Sequence, residues 1–119
     1  MRIRLIAVGT RMPAWVETGY ENYARRMPRA CRLTLCEVPL PRRSKANDPG
    51  RLKAQEADNL LALAGSDLVV ALDQRGNQVN TRDLSLKLGH WLQDGRSISL
   101  LIGGPDGLHS RCLERADWI

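Results

Sequence analysis

Four short apolar runs along the chain predict the strands of a β-sheet. They cover residues 3–8, 33–38, 68–72 and 98–102. Each run is followed by glycine, proline or a polar residue, and residues of this kind commonly end strands. The third run, Leu-Val-Val-Ala-Leu, is apolar at every position, which is typical of a strand covered on both faces. We therefore expect a buried sheet rather than one with a solvated face.

The segments between these runs carry apolar residues at three- and four-residue spacing, which predicts helices. The first predicted helix begins near Pro13 and is closed by Pro28. Its apolar or small residues form one face: Trp15, Gly19, Tyr20, Tyr23, Ala24 and Met27. The second begins at Asp48-Pro49, an N-cap followed by proline at the first helical position, and stops at Gly65.

Two further helices complete the predicted pattern. One follows Thr81 and stops near Asp94-Gly95, and its apolar positions are Leu84, Leu88, Trp91 and Leu92. The other is capped by Ser110. Strand and helix alternate throughout, without an internal repeat or a low-complexity tract. The 119 residues therefore predict a single α/β domain, residues 1–119, with a mainly parallel sheet and helices on both faces.

The basic residues concentrate in the first half of the chain. Residues 1–53 hold twelve Lys or Arg and four Asp or Glu, a net +8, whereas residues 54–119 hold six and nine, a net −3. Fifteen of the eighteen basic residues are arginine, whose planar fork binds phosphate bidentately. The densest group, Arg42, Arg43 and Lys45, is a candidate contact for RNA or DNA phosphates and is called the basic group below. A merely solvated, arginine-rich surface accounts for the charge equally well.

The remaining composition argues against several classes of protein. No stretch approaches the roughly 18 consecutive apolar residues of a membrane span, and the start of the chain lacks a signal-peptide layout. We therefore expect a cytoplasmic protein without membrane contact. Cys31, Cys36 and Cys112 lie in strand-like or helix-like sequence, which favours reduced thiols over disulfides. Their spacing does not suit a zinc site, so no metal is predicted.

Ligands of an open parallel sheet bind beyond the carboxyl ends of its strands, and two strand ends here carry suitable residues. Leu72-Asp73 places a carboxylate after a buried run, and Gly103-Gly104 lacks the Cβ atoms that would keep a ligand from the backbone. Such a loop suits a nucleoside, although its spacing matches neither G-x-G-x-x-G nor a P-loop. The following Pro105-Asp106-Gly107 can equally be a simple tight turn.

Several segments together resemble one known family. They are Ile-Ala-Val-Gly-Thr at 6–10, Met-Pro-x-Trp at 12–15, Leu-Asp at 72–73 and Ser-Leu-Leu-Ile-Gly-Gly-Pro-Asp-Gly-Leu at 99–108. In this order, and over all 119 residues, the chain is similar to the small SPOUT methyltransferases that methylate N3 of a pseudouridine in 23S ribosomal RNA, the ribosomal RNA large subunit methyltransferase H family. The Leu-Leu-Ile-Gly-Gly-Pro segment is the most specific of these matches.

The resemblance implies an enzyme that uses S-adenosyl-L-methionine, has an α/β knotted fold and works as a homodimer with its active site near the subunit interface. It implies cofactor contacts at Leu72, Asp73, Gly103 and Gly104, the positions that the sheet argument also selects. It further implies 23S rRNA, in the large ribosomal subunit or the 70S ribosome, as the substrate that the basic group contacts. No residue of the chain is predicted as a general base.

The sequence also departs from the family. Family members continue past the position of Ile119 with segments that complete the cofactor pocket, the knot and the dimer interface. We therefore expect this chain to be a C-terminally truncated member with an incomplete knot region. Two alternative functions stay open for it. One is a catalytically inactive member that retains weak RNA binding, and the other is a generic α/β nucleotide-binding module unrelated to methyl transfer.

Overall fold

The computed structural model describes residues 2–9, 12–39, 49–104 and 107–119. Its elements are β1 (Arg2–Val8), α1 (Ala14–Ala24), a short 3-10 helix (Arg29–Cys31), β2 (Arg32–Val38), α2 (Pro49–Ala64), β3 (Leu68–Leu72), α3 (Thr81–Asp94), β4 (Ile98–Ile102) and α4 (Ser110–Arg115). All four predicted strands are confirmed, because each apolar run coincides with a strand or begins one residue inside it. The basic group lies outside the described residues.

The strands form one sheet in the order β2-β1-β4-β3, and every neighbouring pair is parallel. In the register of the sheet, Leu72 at the end of β3 pairs with Ile102 at the end of β4. The segments that leave β3 and β4 therefore start side by side at one edge of the sheet. The two strand ends singled out in the sequence are thus neighbours in space, where an open parallel sheet binds its ligands.

Helices α2 and α4 pack on one face of the sheet. The core of this face consists of buried residues from both helices, all four strands and one loop position: Ile6, Val8, Val38, Ala57, Leu60, Ala64, Val69, Ala71, Leu101, Leu108 and Cys112. As predicted, α2 begins at Pro49 and stops at Gly65, which takes a left-handed φ of +55°. The apolar residues of α2, among them Ala57, Leu60 and Ala64, therefore form a stripe that faces the sheet.

Helix α3 covers part of the opposite face. Trp91 is the buried residue of this helix, and it packs with Leu68, Val70 and Ile98. Its ring meets the ring of Trp118 edge-on, with the two centroids 5.6 Å apart. The helix stops at Gly95 (φ +71°), as its sequence predicts. Helices therefore lie on both faces of a parallel sheet, and the predicted α/β class is confirmed.

Two helices differ in detail from the sequence prediction. Helix α1 ends at Ala24 rather than at Pro28, and it has no buried residue, so Trp15 is 78% and Tyr23 69% exposed. Periodicity indicates an apolar face but not whether the same chain covers it. Helix α4 is capped by His109 rather than by Ser110, because His109 Nδ1 accepts a hydrogen bond of 3.1 Å from the backbone N–H of Arg111.

The residues after α4 extend the sheet along the outer edge of β3. The Asp117 N–H donates to the Val69 carbonyl at 2.8 Å, and the Ala71 N–H donates to the Trp118 carbonyl at 2.9 Å. The Val69 N–H donates to Asp117 Oδ2 at 2.9 Å, which holds the pKa of that carboxyl below its usual value. These bonds satisfy backbone groups that an open strand edge would leave unpaired.

A shielded polar network ties together three strands of the sheet. Arg4 on β1 donates from Nη2 to Asp67 Oδ2 at 2.8 Å, and the Ser99 hydroxyl of β4 donates to the same oxygen at 2.9 Å. The Arg4 and Asp67 side chains are only 17% and 13% exposed. Because Asp67 directly precedes β3, the network fixes the start of β3 against β1 and β4.

The structure also bears on the classes of site considered from composition. Cys31, Cys36 and Cys112 are free thiols. Among residues 2–9, 12–39, 49–104 and 107–119, no group of three or more His, Cys, Asp or Glu side chains is arranged to hold a metal ion. None of the helices in the described ranges is long and apolar enough to cross a membrane.

Candidate functional site

The carboxyl ends of β3 and β4 open into a cavity of about 570 Å³. All four residues predicted to contact a cofactor line it, namely Leu72, Asp73, Gly103 and Gly104. The other lining residues come from α2, the two strand-end loops and the last position of β4: Lys53, Gln74, Arg75, Ile102, Gly107 and Leu108. Small-molecule sites commonly occupy about 300–1,000 Å³. The structure therefore brings the two strand ends into one site, while their contact with a cofactor stays a prediction.

One glycine of the second strand end, Gly103, is required by the packing of the loop itself. A Cβ on Gly103 would lie 2.5 Å from the carbonyl carbon of Gly107, closer than any real Cβ contact. Gly107 takes a φ of +82°, and its N–H donates to the Gly104 carbonyl at 3.0 Å, which closes a tight turn. The loop folds back on its own backbone. This close packing is a second reason for glycine at position 103, beside the ligand access expected from the sequence, and the ligand contact itself stays a prediction.

The first strand end is held by an arginine two residues further on. Arg75 donates from Nε to Asp73 Oδ1 at 2.8 Å and from Nη2 to Asp73 Oδ2 at 3.0 Å, and its backbone N–H reaches Oδ1 at 2.8 Å. These hydrogen bonds, with the Arg75 side chain contributing most, lower the pKa of Asp73 to about 2. The Asp73 carboxylate, 5% exposed, therefore stays charged at any physiological pH.

The same arginine joins the two loops of the cavity. Arg75 Nη2 also donates to the Leu108 carbonyl at 3.1 Å, so one guanidinium holds the Asp73 carboxylate after β3 and the backbone of the loop after β4. A guanidinium presents several donors in a fixed plane, which lets it bridge two acceptors. Arg75 therefore fixes the distance between the walls of the cavity.

A further contact holds the loop after β3 against the segment that follows α4. The Asn77 N–H donates to the Ile119 carbonyl at 3.4 Å, and a Cβ on Gly76 would lie 2.7 Å from the Ile119 carbonyl carbon. Glycine at position 76 is therefore needed for this close approach. The segment after α4 thus supports both the edge of β3 and the loop that contains Asp73 and Arg75.

Helix α2 links the cavity to the basic sequence that precedes it. Lys53, about one turn from the start of α2 at Pro49, is half-buried and lines the cavity. Arg51 beside it is exposed. Lys53 is therefore the residue of α2 that reaches the cavity.

A comparison with known proteins identifies the family of this fold and site. The family model described as "Predicted SPOUT methyltransferase" matches residues 1–119. The chain belongs to the SPOUT methyltransferase family. The resemblance found in the sequence is thereby confirmed, and the parallel α/β sheet agrees with the fold that it implied.

Several curated relatives of this SPOUT chain share one name. "Ribosomal RNA large subunit methyltransferase H" of Saccharophagus degradans is 52% identical over 118 residues, and that of Hahella chejuensis is 50% identical over 118 residues. The relative from Alkalilimnicola ehrlichii, with the same name, is 50% identical over 117 residues. Each match covers 98% of this chain and 76% of the relative.

Sequence reasoning on this SPOUT chain missed three residues that shape the cavity. Arg75 and Leu108 meet only after folding, since 33 positions separate them. Glu56 lies on α2, and a Cβ on Gly104 would come within 2.9 Å of its Oε1. One signal was available in the sequence, because a single charged residue within the apolar stripe of α2 breaks the period of that stripe.

Proposed function

We propose that this chain is a single-domain SPOUT methyltransferase, residues 1–119, that uses S-adenosyl-L-methionine and methylates N3 of a pseudouridine in 23S ribosomal RNA. Membership of the family and the shared name of the relatives support this proposal. The observation that carries it is the cavity in which Leu72, Asp73, Gly103 and Gly104 meet, because sheet topology and the family resemblance select the same residues independently.

The lining of the cavity fits this cofactor. An adenosine group needs apolar surface for its base and polar backbone groups for its edges, and Leu72, Ile102 and Leu108 supply the first while Gly103 and Gly104 supply the second. Asp73 adds a fixed negative charge. When bound, S-adenosylmethionine supplies a methyl group activated by a positively charged sulfur.

The residues of the chain contribute mainly alignment and charge. The hydrogen bond from Arg75 to Leu108 joins the two walls, and walls held together in this way help to align the nucleophile with the methyl group. N3 of pseudouridine carries a proton that must leave as the nitrogen becomes a nucleophile, and negative charge then builds up on the ring oxygens. Among the described residues, Lys53 and Arg75 are cations of the lining, and Arg75 is already paired with Asp73. A cation such as Lys53 beside the ring stabilises that charge.

The basic group supplies the proposed contact with ribosomal RNA. Arg42, Arg43 and Lys45 follow β2, whose carboxyl end lies at the same edge of the parallel sheet as the cavity. Arginine and lysine next to an active site hold an RNA substrate through its phosphates. The substrate in this proposal is 23S rRNA within the large ribosomal subunit or the 70S ribosome, which places the protein in the cytoplasm.

We also propose that the protein works as a homodimer. The exposed side of α1 supports this, because Trp15 and Tyr23 leave large aromatic surfaces exposed in the described part of the chain. Sedimentation equilibrium tests it: a dimer is expected, and Trp15→Ser should shift the population toward monomer while Leu86→Ser on α3 should not. A monomer at micromolar concentration would contradict the dimer without affecting the proposed cavity.

A titration with S-adenosylhomocysteine tests the cofactor site. Leu72 is 49% exposed at the cavity, so Leu72→Arg fills the site without opening the core, and Leu86→Arg is a matched control because Leu86 is 62% exposed on α3. We expect saturable binding to the unsubstituted protein and to Leu86→Arg, and loss of binding in Leu72→Arg. Equal binding by both variants would place the cofactor elsewhere, and binding of ATP without S-adenosylhomocysteine would favour a generic nucleotide module.

Transfer of a radiolabelled methyl group tests the substrate. Labelled S-adenosylmethionine is offered with free 23S rRNA, large subunits and 70S ribosomes, each prepared with and without pseudouridine, and the modified nucleoside is identified by mass spectrometry. We expect label only where pseudouridine is present. Replacing Arg42, Arg43 and Lys45 by Gln should weaken RNA binding and reduce its salt dependence. Label in RNA without pseudouridine would contradict the proposed substrate. A salt dependence that the substitutions leave unchanged would contradict the proposed phosphate contact of the basic group.

A further inference from the structure

A group of exposed arginines lies at the edge of the sheet opposite the cavity. Arg2 is the first residue of β1 and Arg32 the first residue of β2, so both lie where strands begin. The cavity, in contrast, opens where β3 and β4 end. Three more exposed arginines lie between the end of α1 and the start of β2. The five residues are called the amino-edge arginines below: Arg2, Arg25, Arg26, Arg29 and Arg32.

The sheet places two of the amino-edge arginines side by side. In the parallel register of β1 and β2, Arg2 pairs with Arg32, and neighbouring strands lie about 4.8 Å apart. Paired residues project from the same face of the sheet, and like charges at paired positions repel each other and destabilise a sheet. A negatively charged group between the two guanidiniums removes this repulsion.

The chain after α1 brings the other three arginines to the same edge. Met27, which follows two of them directly, lines one apolar pocket together with Ile3 and Leu33. Ile3 and Leu33 are the second residues of β1 and β2, and they pair in the register of the sheet. Arg29 lies in the 3-10 helix that leads into β2. The five arginines therefore surround the start of the same two strands.

The amino-edge arginines differ from other arginines in their partners. Arg4, further along β1, is paired with Asp67, and Arg111 on α4 is paired with Asp58. Within residues 2–9, 12–39, 49–104 and 107–119, the side chains of the amino-edge arginines form no ion pair or hydrogen bond. Their guanidiniums are therefore available to a partner outside the chain.

The phosphates of a nucleic acid are the partner that this chemistry suits. A guanidinium binds phosphate through two parallel hydrogen bonds, and several of them along one edge suit the successive phosphates of a strand. The seven residues of β1, at about 3.3 Å per residue, separate this edge from the carboxyl ends of the strands by about 20 Å. An RNA segment bound here is therefore a different segment from the one at the cavity.

We propose that the amino-edge arginines bind phosphates of a second segment of the 23S rRNA, remote from the segment that carries the target base. This inference rests on the proposed function and deepens it, because it concerns the same rRNA substrate. It names a surface separate from the basic group, which follows the carboxyl end of β2. A contact at both edges of the sheet favours a folded ribosomal RNA over a short strand, since only a folded RNA presents phosphates at both places.

Binding of free 23S rRNA over a series of salt concentrations tests this inference. The variant Arg2→Gln/Arg32→Gln removes two charges from exposed positions. The matched control, Arg82→Gln/Lys87→Gln, removes two charges from α3. A third variant, Arg2→Lys/Arg32→Lys, keeps both charges. Urea unfolding checks the fold of each variant, and the loss of a repelling pair should leave Arg2→Gln/Arg32→Gln at least as stable as the unsubstituted protein.

We expect Arg2→Gln/Arg32→Gln to weaken binding at about 0.1 M salt by at least about fivefold. The slope of log K against log salt should become shallower by about 1.5, because each lost phosphate contact accounts for about 0.7–0.9. The control on α3 should change the slope by less than half as much, and the Lys variant should retain the slope. In methyl transfer, Arg2→Gln/Arg32→Gln should raise the KM for 23S rRNA and leave kcat unchanged, because the contact is remote from the reacting atoms.

Four results would overturn this inference and leave the proposed function standing. They are an unchanged affinity and slope in Arg2→Gln/Arg32→Gln, an equal loss in the control on α3, a lower kcat at unchanged KM, and weaker binding to large subunits with unchanged binding to free 23S rRNA. The second result would show an effect of net charge alone, and the fourth would assign the arginines to a ribosomal protein.

Failure of the proposed function gives a different result. Binding of 23S rRNA without any methyl transfer to it would contradict the proposed reaction, and the salt series would then decide on the amino-edge arginines by itself. If the unsubstituted protein does not bind 23S rRNA at all, both the proposed substrate and this inference are wrong.

Discussion

The link between the two loops of the cavity can be tested by removing one guanidinium. Arg75→Gln eliminates the paired hydrogen bonds to Asp73 and the bond to the Leu108 carbonyl. The backbone N–H of residue 75 still reaches Asp73 Oδ1. We therefore expect the pKa of Asp73 to rise from about 2 toward its ordinary value of 3.8 without reaching it.

The effect on stability follows from the same shift. The difference between 3.8 and about 2 corresponds to about 2.5 kcal/mol if the pair were fully shielded, since one pKa unit is worth about 1.4 kcal/mol. The Arg75 side chain is 55% exposed, so solvent screening reduces the expected contribution to about 1 kcal/mol. Because the folded-state pKa of Asp73 is depressed, this stabilisation is present above pH 3.8 and is lost as the pH falls toward 2.

Two measurements check the prediction for Arg75→Gln. A ¹³C NMR titration of the Asp73 carboxyl gives its pKa directly, and urea unfolding at pH 7 and at pH 2.5 gives the free energy of unfolding. The difference between variant and unsubstituted protein should shrink at the lower pH. Arg82→Gln, at an exposed position in the first turn of α3, serves as the control. An Asp73 pKa that stays near 2 in Arg75→Gln would refute the assignment of the shift to this guanidinium.

Three further substitutions or treatments have effects that follow from the packing. Gly103→Ala should lower the free energy of unfolding in urea by about 2–3 kcal/mol, because the new Cβ meets backbone. Gly89→Ala is the control: its Cβ enters open space on α3, so it should raise the free energy of unfolding by up to about 1 kcal/mol. Asp67→Ala should cost about 3 kcal/mol, since it leaves the shielded Arg4 guanidinium without its carboxylate; a cost below about 1 kcal/mol would show that the network is dispensable. Cys112 should react with a thiol reagent at least about tenfold more slowly in the folded protein than in urea, because burial raises the pKa of its thiol and blocks access of the reagent. Fast labelling of the folded protein would contradict the burial of Cys112.

The fold was predictable where a local pattern had only one physical solution. A run such as residues 68–72 has to be covered on both faces, and the glycines at 65 and 95 could only end helices. The position of α1 was also predictable, but its exposure was not. Trp15 and Tyr23 recur at helical spacing, and that spacing does not say whether the covering surface belongs to the same chain.

The location of the site was predictable from the sequence, whereas the contacts that hold its loops in place were not. The carboxyl ends of parallel strands meet at one edge, so Leu72 and Gly103 could be placed together without coordinates. The Arg75 bond to Leu108 and the position of Glu56 behind Gly104 depend on tertiary packing between segments far apart in sequence. The contact between Arg75 and Leu108 leaves no periodic signal, whereas Glu56 interrupts the apolar period of α2. The need for glycine at position 103 also comes from packing, since the closest neighbour of an added Cβ is backbone of the same loop.

The contact between the last residues and the cavity loop has an optical consequence. The Trp118 ring meets the Trp91 ring edge-on, and its centroid lies 5.4 Å from Lys87 Nζ. The adjoining Ile119 lies against Gly76, in the loop that also contains Arg75. A ligand that shifts this loop therefore disturbs the surroundings of an indole. With the exposed Trp15 replaced by Phe, the tryptophan fluorescence of the protein, excited at a wavelength that tyrosine does not absorb, comes from this pair alone. The molecule thus carries its own reporter for entry into the cavity, and binding can be followed without a label.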